Sequence, residues 1–517
     1  MISNKNRNKK KKKRGQQRYF PVLRSLEKKR ESHESKKNEN RKKREEKRPF
    51  DPAHNMSPVV CLKTNHTISQ TAPLSKVAGL RLWETYIILY VYSFFMTTPI
   101  RGVLPNKLRY IIVPQKDSLT ATVAVLVTAG SKYETKDING LSHFLEHMCF
   151  KGTKKRPRPI DIASELDGMG ARYNAFTGHE YTSYYAKVRS TLFLEALDVV
   201  SDLYLHPTFN KEDIEIERGV IIEEINMYED NYPRKVEELF FELVYGDQPA
   251  GWSIAGTKEN VRRLSREDFI SYREKNYLPE STIVVIAGNV NVKRAEKELK
   301  KHFSLLEGGQ KMEKKKVLEL QKKSAERVYV KEFKQAHFML GVRAFGAKDE
   351  RRFALEVLSE VLGGGMSSRL FKKVRDELGA AYYIYSNTDL FSDHGLFTVS
   401  AGVDNKKVDI VVKAILAEMK LLKQKLVSRA ELEKAKEHLI GGIFLNAETS
   451  DSLGYFYGGQ EIMGMPLSSP DALAKKIKSV TAKEIREVAR TVFQNNHLNL
   501  ALIGPFKNRS FLDILKI

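Results

Sequence analysis

The chain repeats itself, and the repeat limits its possible folds more than any other feature. The segment 264-LSREDFISYREKNYLPESTIVVIAGNV-290 aligns without a gap on 480-VTAKEIREVARTVFQNNHLNLALIGPF-506, position 264 over position 480, an offset of 216. Each copy reads as helix, break, apolar strand and glycine, with Gly288 over Gly504. At the same offset 125-VLVTAG-130 lies over 341-GVRAFG-346. Few residues are identical, so the order of the patterns carries the correspondence. Helical and strand patterns recurring in the same order predict two αβ halves of like architecture.

The rest of the chain arranges itself around that pair. Strand-like runs at 107-KLRYIIV-113, 120-TATVAVLVTAG-130 and 181-YTSYYAKV-188 show alternation or β-branched enrichment. Helical patterns follow at about 190–204 and 211–246. The charged, loosely patterned stretch 308-GGQKMEKKKVLELQKK-323 reads as a linker. The predicted division is a first half over 100–307, a linker over 308–325 and a second half over 326–517. Ahead of these, residues 1–55 read as a disordered basic tail and 56–99 as a leader with a short apolar segment. Residues 1–50 hold 21 Lys and Arg against 6 Glu, a net of +15 out of +24 for the chain, which leaves +9 for everything else. The basicity therefore belongs to the tail and says little about the halves. The run 86-YIILYVYSFFM-96 is short beside the ~20 residues that a membrane-spanning helix needs. It is read as a packed segment rather than an anchor. Two cysteines, Cys61 and Cys149, make no disulfide framework and suit a reducing, cytoplasmic compartment.

The two halves differ at one place. The stretch 140-GLSHFLEHMCFKGT-153 puts His143, Glu146 and His147 in a helical pattern, and at the offset of 216 they fall on Ser359, Leu362 and Gly363. The second copy builds the helix without the polar triplet, so the fold does not need it. His143 and His147, at i and i+4, share one helix face and can take two corners of a tetrahedral zinc site. Glu146 lies on the adjacent flank. There it can take a proton from a water at the metal without being a ligand. The pattern is H-x-x-E-H, the reverse of the commoner H-E-x-x-H. A third ligand is needed, and 217-ERGVIIEEINMYED-230 offers Glu223 and Glu224. Neighbours on a helix point about 100° apart, so one of the two faces inward, and spacing alone does not choose. Glu217 lies seven residues before Glu224, on the same face. Cys149, two residues past His147, points away from the metal face.

Taken together, 140-GLSHFLEHMCFKGT-153, 174-NAFTGHEYTSYY-185 and 217-ERGVIIEEI-225, with 76 residues between His147 and Glu224, resemble the inverzincin peptidases related to pitrilysin, insulin-degrading enzyme and the mitochondrial processing peptidase β subunit. The resemblance covers about residues 100–517, and the chain length is similar to short bacterial members with two halves per chain. It implies an α+β fold of two homologous αβ sandwich halves, with helices packed on mostly antiparallel sheets. It implies one Zn2+ per chain held by His143, His147 and Glu224, with Glu146 as general base and Glu217 orienting a ligand histidine. Asn174 would touch the substrate backbone beside an edge strand; without the resemblance it would be a turn residue. In 363-GGGMSSRLFKKVRDELGAAYYIYS-386 the resemblance singles out Arg375 and Tyr382 as binding substrate and stabilising the oxyanion, with Arg369 a weaker candidate. Without it they are a surface arginine and a core tyrosine.

The expectation is a zinc metalloendopeptidase acting on short or unfolded polypeptides. It would work as a homodimer, or as a heterodimer with a related subunit, in which Arg375 and Tyr382 complete the partner's site. The alternatives are a non-catalytic partner subunit of the same fold and an RNA-associated protein acting through the basic tail. The halves carry no nucleic-acid motif.

Overall fold

The structure, a computed structural model, describes residues 98–517. The basic tail over 1–55 and the apolar run 86–96 lie outside the described residues.

Two sheets account for the repeat. The first has strand order β1-β2-β6-β3-β5-β4, from β1 (Ile100–Val103), β2 (Arg109–Pro114), β3 (Thr120–Val127), β4 (Arg172–Thr177), β5 (Thr182–Arg189) and β6 (Thr282–Gly288). The second has the order β7-β11-β8-β10-β9, from β7 (Ala325–Val330), β8 (Gln335–Ala344), β9 (Ala381–Leu390), β10 (Gly395–Asp404) and β11 (Asn499–Gly504). Each sheet has one parallel pair, β2 with β6 and β7 with β11, and is otherwise antiparallel. At the offset of 216, β2 falls on β7, β3 on β8 and β6 on β11. β1 has no counterpart in the second sheet. The edge strand β4 carries Asn174, and the edge strand β9 carries Tyr382.

The first half contributes helices α1 (Leu141–Met148), α2 (Pro159–Gly168), α3 (Phe193–Leu205), α4 (Lys211–Asp230), α5 (Tyr232–Tyr245), α6 (Lys258–Arg263), α7 (Arg266–Asn276) and α8 (Val292–Phe303). The second contributes α9 (Arg352–Gly363), α10 (Val408–Gln424), α11 (Arg429–Asn446), α12 (Ser450–Ile462), α13 (Pro470–Ser479) and α14 (Ala482–Val492), with a π-helix at Phe371–Glu377. The single helical pattern expected over 211–246 is two helices. The chain breaks at Asn231, whose side chain accepts the Arg234 backbone N–H at 3.3 Å and starts α5, with Pro233 in its first turn.

Each sheet packs one face on its own helices. Val123, Val125, Val284 and Ile286 meet Leu141, Phe144 and Leu145 of α1 and Leu197 of α3. Phe338, Leu340 and Val399 meet Leu355, Leu358 and Leu362 of α9. The opposite faces are covered by exchange between the halves. α5 of the first half lays Val236, Leu239, Phe240 and Val244 on Met339, Leu396, Ala501 and Ile503 of the second sheet. α12 of the second half lays Leu453, Tyr457 and Ile462 on Ile111, Ala124, Leu126 and Val285 of the first. Burial on both faces explains why β6 and β11 are continuous apolar runs instead of alternating ones. α12 can approach because it presents glycine: a Cβ at Gly458 would stand 3.0 Å from Val285 Cγ2.

The expected linker carries neither helix nor strand over 304–324, and β7 starts at Ala325. It is nevertheless pinned. Lys314 joins a polar cluster between the halves in which Lys132 Nζ lies 3.0 Å from Glu180 Oε1 and 2.7 Å from Asp393 Oδ1, and Lys314 Nζ lies 2.9 Å from Asp393 Oδ1. Among the described residues no helix is long and apolar enough to cross a membrane.

Candidate metal centre

α1 begins where Gly140 takes φ +101°; a Cβ there would sit 2.7 Å from the Ala255 carbonyl oxygen. The free N–H groups at its start are met by the buried Glu134 carboxylate, which accepts from Gly140 N at 2.9 Å and Ser142 N at 2.7 Å. Burial pushes the Glu134 carboxyl up, and these hydrogen bonds pull the other way. Leu141, Phe144, Leu145 and Met148 go into the core, which leaves His143, Glu146 and His147 together on the remaining flank. The two imidazole rings stand edge to face with centroids 4.7 Å apart.

α4 lies against that flank. Ile214, Ile221 and Ile225 are buried, and this turns Glu217 and Glu224, two helical turns apart, towards α1. Glu224 Oε2 is 3.6 Å from His143 Nε2 and 3.5 Å from His147 Nε2. One donor atom from each of His143, His147 and Glu224 lies within 4.8 Å of the others. Ligand atoms on a tetrahedral zinc at its usual bond lengths are about 3.3 Å apart, so the three side chains fit the ion with little movement. Glu223 is exposed, and Asn226 Nδ2 donates to it at 3.3 Å. His143 supplies a second test. It is 9% exposed, Nδ1 is buried with no partner, and no hydrogen bond from Nε2 is present among the described residues. Nε2, the ring nitrogen that faces Glu224 Oε2, is thus left without a protein hydrogen-bond partner and is free to meet a metal.

The surroundings fix the remaining groups. His147 Nδ1 meets Glu217 Oε1 at 2.9 Å, and Lys151 pairs with the other Glu217 oxygen. Such a carboxylate–histidine contact sets the tautomer that leaves Nε2 free to ligate. Thr177 Oγ1, at the end of β4, donates to Glu146 Oε2 at 2.6 Å. The Tyr228 hydroxyl donates to Glu224 Oε1. Burial, then the neighbouring charge of His147, pushes the His143 imidazole down to about 4, so it is neutral at pH 7. Burial would also lower His147, but the hydrogen bond to Glu217 and the charges of Glu146, Glu224 and Glu217 raise it. Glu146 is raised by burial and by Glu224, against Thr177 and His147. Glu217 is lowered: burial opposes this, and His147 and Lys151 prevail.

The other expected residues lie elsewhere. Asn174 is exposed in β4, in a strand and not in a turn; its Oδ1 accepts the Ala175 N–H at 2.9 Å. Arg375, in the π-helix, donates to the Tyr382 carbonyl oxygen, and the Tyr382 side chain is 72% exposed, so it is not a core residue. Among the described residues no hydrogen bond or ion pair joins either to the metal cluster. Arg369 is held by Glu431 through contacts of 2.7 and 2.8 Å, a structural role. Cys149 is buried with its thiol 3.5 Å from the Tyr184 hydroxyl. In the second half, Ser359 bonds to Ser386 and Leu362 is buried in the core, so α9 has packing where α1 has ligands. Thr177, Tyr228 and Glu134 were not singled out in the sequence. Only Tyr228, at i+4 from Glu224, had a spacing that could have revealed it.

Residues 110–258 match the family model described as Insulinase (Peptidase family M16), and residues 263–439 match the one described as Peptidase M16 inactive domain. An uncharacterized zinc protease of Streptomyces coelicolor is 35% identical over 415 residues, 79% of this chain and 90% of that protein. One of Bacillus subtilis is 33% identical over 403 residues, 78% of this chain and 97% of that protein. Among solved structures, a protease from Helicobacter pylori matches with a TM-score of 0.76 at 24% identity, covering 80% of this chain and 100% of that one. A peptidase M16 inactive domain from Pseudomonas fluorescens matches with a TM-score of 0.74 at 15% identity and the same coverage. These two likenesses bear on the fold alone.

Proposed function

Since the chain belongs to peptidase family M16, the insulinase family of zinc proteases, in its short two-half form, we propose that it is a metalloendopeptidase that cuts short or unfolded polypeptides at one zinc per chain. The observation that carries this reading is the meeting of His143, His147 and Glu224 donor atoms within 4.8 Å, with Glu146 on the same helix.

Bound zinc supplies a Lewis acid that polarises the scissile carbonyl and makes water a better nucleophile near neutral pH. The residues of the chain do the rest. Glu146 takes the proton of the attacking water on Oε1, because Thr177 holds Oε2. It then returns that proton to the leaving amide nitrogen. Glu217 keeps His147 turned with Nε2 towards the ion. β4 is an edge strand, so a polypeptide can add to it by main-chain hydrogen bonds, with the exposed Asn174 side chain beside its backbone. Arg375 and Tyr382 stabilise the oxyanion in a second copy of the chain, a reading supported by the exposure of Tyr382 on β9.

The direct test is Glu146→Gln. The amide cannot accept a proton but leaves the three ligands in place, so the variant is expected to keep its zinc by elemental analysis and lose peptide cleavage. Near-normal turnover in Glu146→Gln, or an active enzyme free of zinc, overturns the reading.

A further inference from the structure

We propose that Tyr228 is a positioning residue for the metal: its hydroxyl pins one oxygen of Glu224 so that the other is presented to zinc, and Arg234 in turn pins Tyr228. The proposal rests on the metal reading of His143, His147 and Glu224.

The two oxygens of Glu224 have different surroundings. Oε1 accepts the Tyr228 hydroxyl, one helical turn further along α4. Oε2 faces Nε2 of both histidines, at 3.6 and 3.5 Å. The terminal torsion of a glutamate is broad and roughly two-fold, so an unrestrained carboxylate samples many orientations. A single donor on Oε1 removes that freedom before the ion arrives. Tyr228 is itself restrained from the far side. The Arg234 guanidinium lies 3.6 Å from the centre of its ring, a cation–π contact that fixes the ring plane. Arg234 sits in the first turn of α5, where its backbone N–H is held by Asn231. α5 is the helix that rests on the second sheet. Support for the third ligand therefore runs from the second half through Arg234 and Tyr228 to Glu224. Two more side chains at the centre are held in the same way, Glu146 by Thr177 and His147 by Glu217.

Tyr228→Phe removes the hydroxyl and keeps the ring under Arg234. Zinc affinity is measured by competition with a chromophoric chelator, beside the melting temperature of zinc-free protein and the kcat and KM for a peptide. The expected result is a loss of zinc affinity of about 10- to 100-fold, the usual effect of removing a partner of a metal ligand. The zinc-free melting temperature should be unchanged and the loss of turnover should appear in kcat, not KM. Arg234→Met should weaken zinc binding in the same direction and by less. A purely packing role for Tyr228 would lower the zinc-free melting temperature and leave affinity alone. Zinc affinity in Tyr228→Phe within twofold of wild type, or tighter, overturns the proposal while leaving the metal reading intact. Failure of the wild type itself to bind zinc overturns both.

Discussion

At the scale of single residues, the choice between Glu223 and Glu224 separates ligand from bystander. Two adjacent carboxylates on α4 have the same charge and nearly the same distance along the chain from His147. They differ in direction, Glu224 towards the histidines and Glu223 towards solvent and Asn226. Glu224→Gln should therefore lose most of the bound zinc, and Glu223→Gln should keep it, as measured by metal content after dialysis. The reverse order would mean that α4 is turned by one residue. The histidines and Glu146 were legible in the sequence because their spacing is a local helical property, and because the second copy lacks them. The Glu223/Glu224 choice was not, since it depends on which face of α4 the buried Ile214, Ile221 and Ile225 occupy. Thr177 reaches Glu146 only through the pairing of β4 with β5, a contact 31 residues away in sequence and invisible to any period.

Among the elements, α12 is the most exacting. Its sequence, 450-SDSLGYFYGGQEI-462, has three glycines inside a helix, each a cost of about 1 kcal/mol relative to alanine. The structure separates their roles. A Cβ at Gly458 would stand 3.0 Å from Val285 Cγ2 and 3.4 Å from Leu126 Cδ2, whereas nothing lies within 4 Å of one at Gly459. Gly458→Val should lift the helix from the sheet and lower stability by about 1–3 kcal/mol, read as a lower urea midpoint. Gly459→Ala should be neutral or stabilising by up to about 1 kcal/mol. Equal effects at the two sites would contradict the close approach. The repeat made the sheets and their order partly readable in advance, because helix, break and strand recur at a fixed offset. The crossing of α5 and α12 to the opposite sheet was not readable. A helix with one apolar face needs something to cover, and its sequence does not say whose. The extra strand β1 was missed because IRGV is too short to show alternation.

For the whole molecule, the halves are held by the Lys132, Glu180, Lys314 and Asp393 cluster as well as by the exchanged helices. Burial opposes ionisation of Asp393 and Glu180, but the two lysines prevail and hold both carboxyls below their ordinary values. Groups whose pKa is lowered by folding contribute stability that is complete above their unfolded values, near 4, and is lost as pH falls through the lower folded ones. Stability should thus decline below about pH 4, and Asp393→Asn should flatten that decline while costing only about 1 kcal/mol at pH 7, since Asp393 is open to solvent and its ion pairs are screened. An unchanged acid limb in Asp393→Asn would remove the cluster from the account. Subunit exchange tests the shared site. Glu146→Gln protein mixed with Arg375→Ala,Tyr382→Phe protein should regain about a quarter of wild-type activity, since half of randomly formed symmetric dimers are mixed and each carries one good site. No recovery despite proven exchange would place Arg375 and Tyr382 in service of their own chain, or of none.

The exchange of helices also sets a timetable for synthesis. The first sheet is finished once Gly288 has left the ribosome, yet the helix that covers Ile111, Ala124, Leu126 and Val285 is encoded up to Ile462. At ribosomal speeds of about 5–20 residues per second the interval is roughly 10–35 s. Throughout it a nascent first half shows water a broad apolar face, with its edge strand β4 also open. A nascent chain built this way depends on being shielded while it waits, and its yield in a cell should follow the supply of chaperones more closely than that of a protein whose domains close in order.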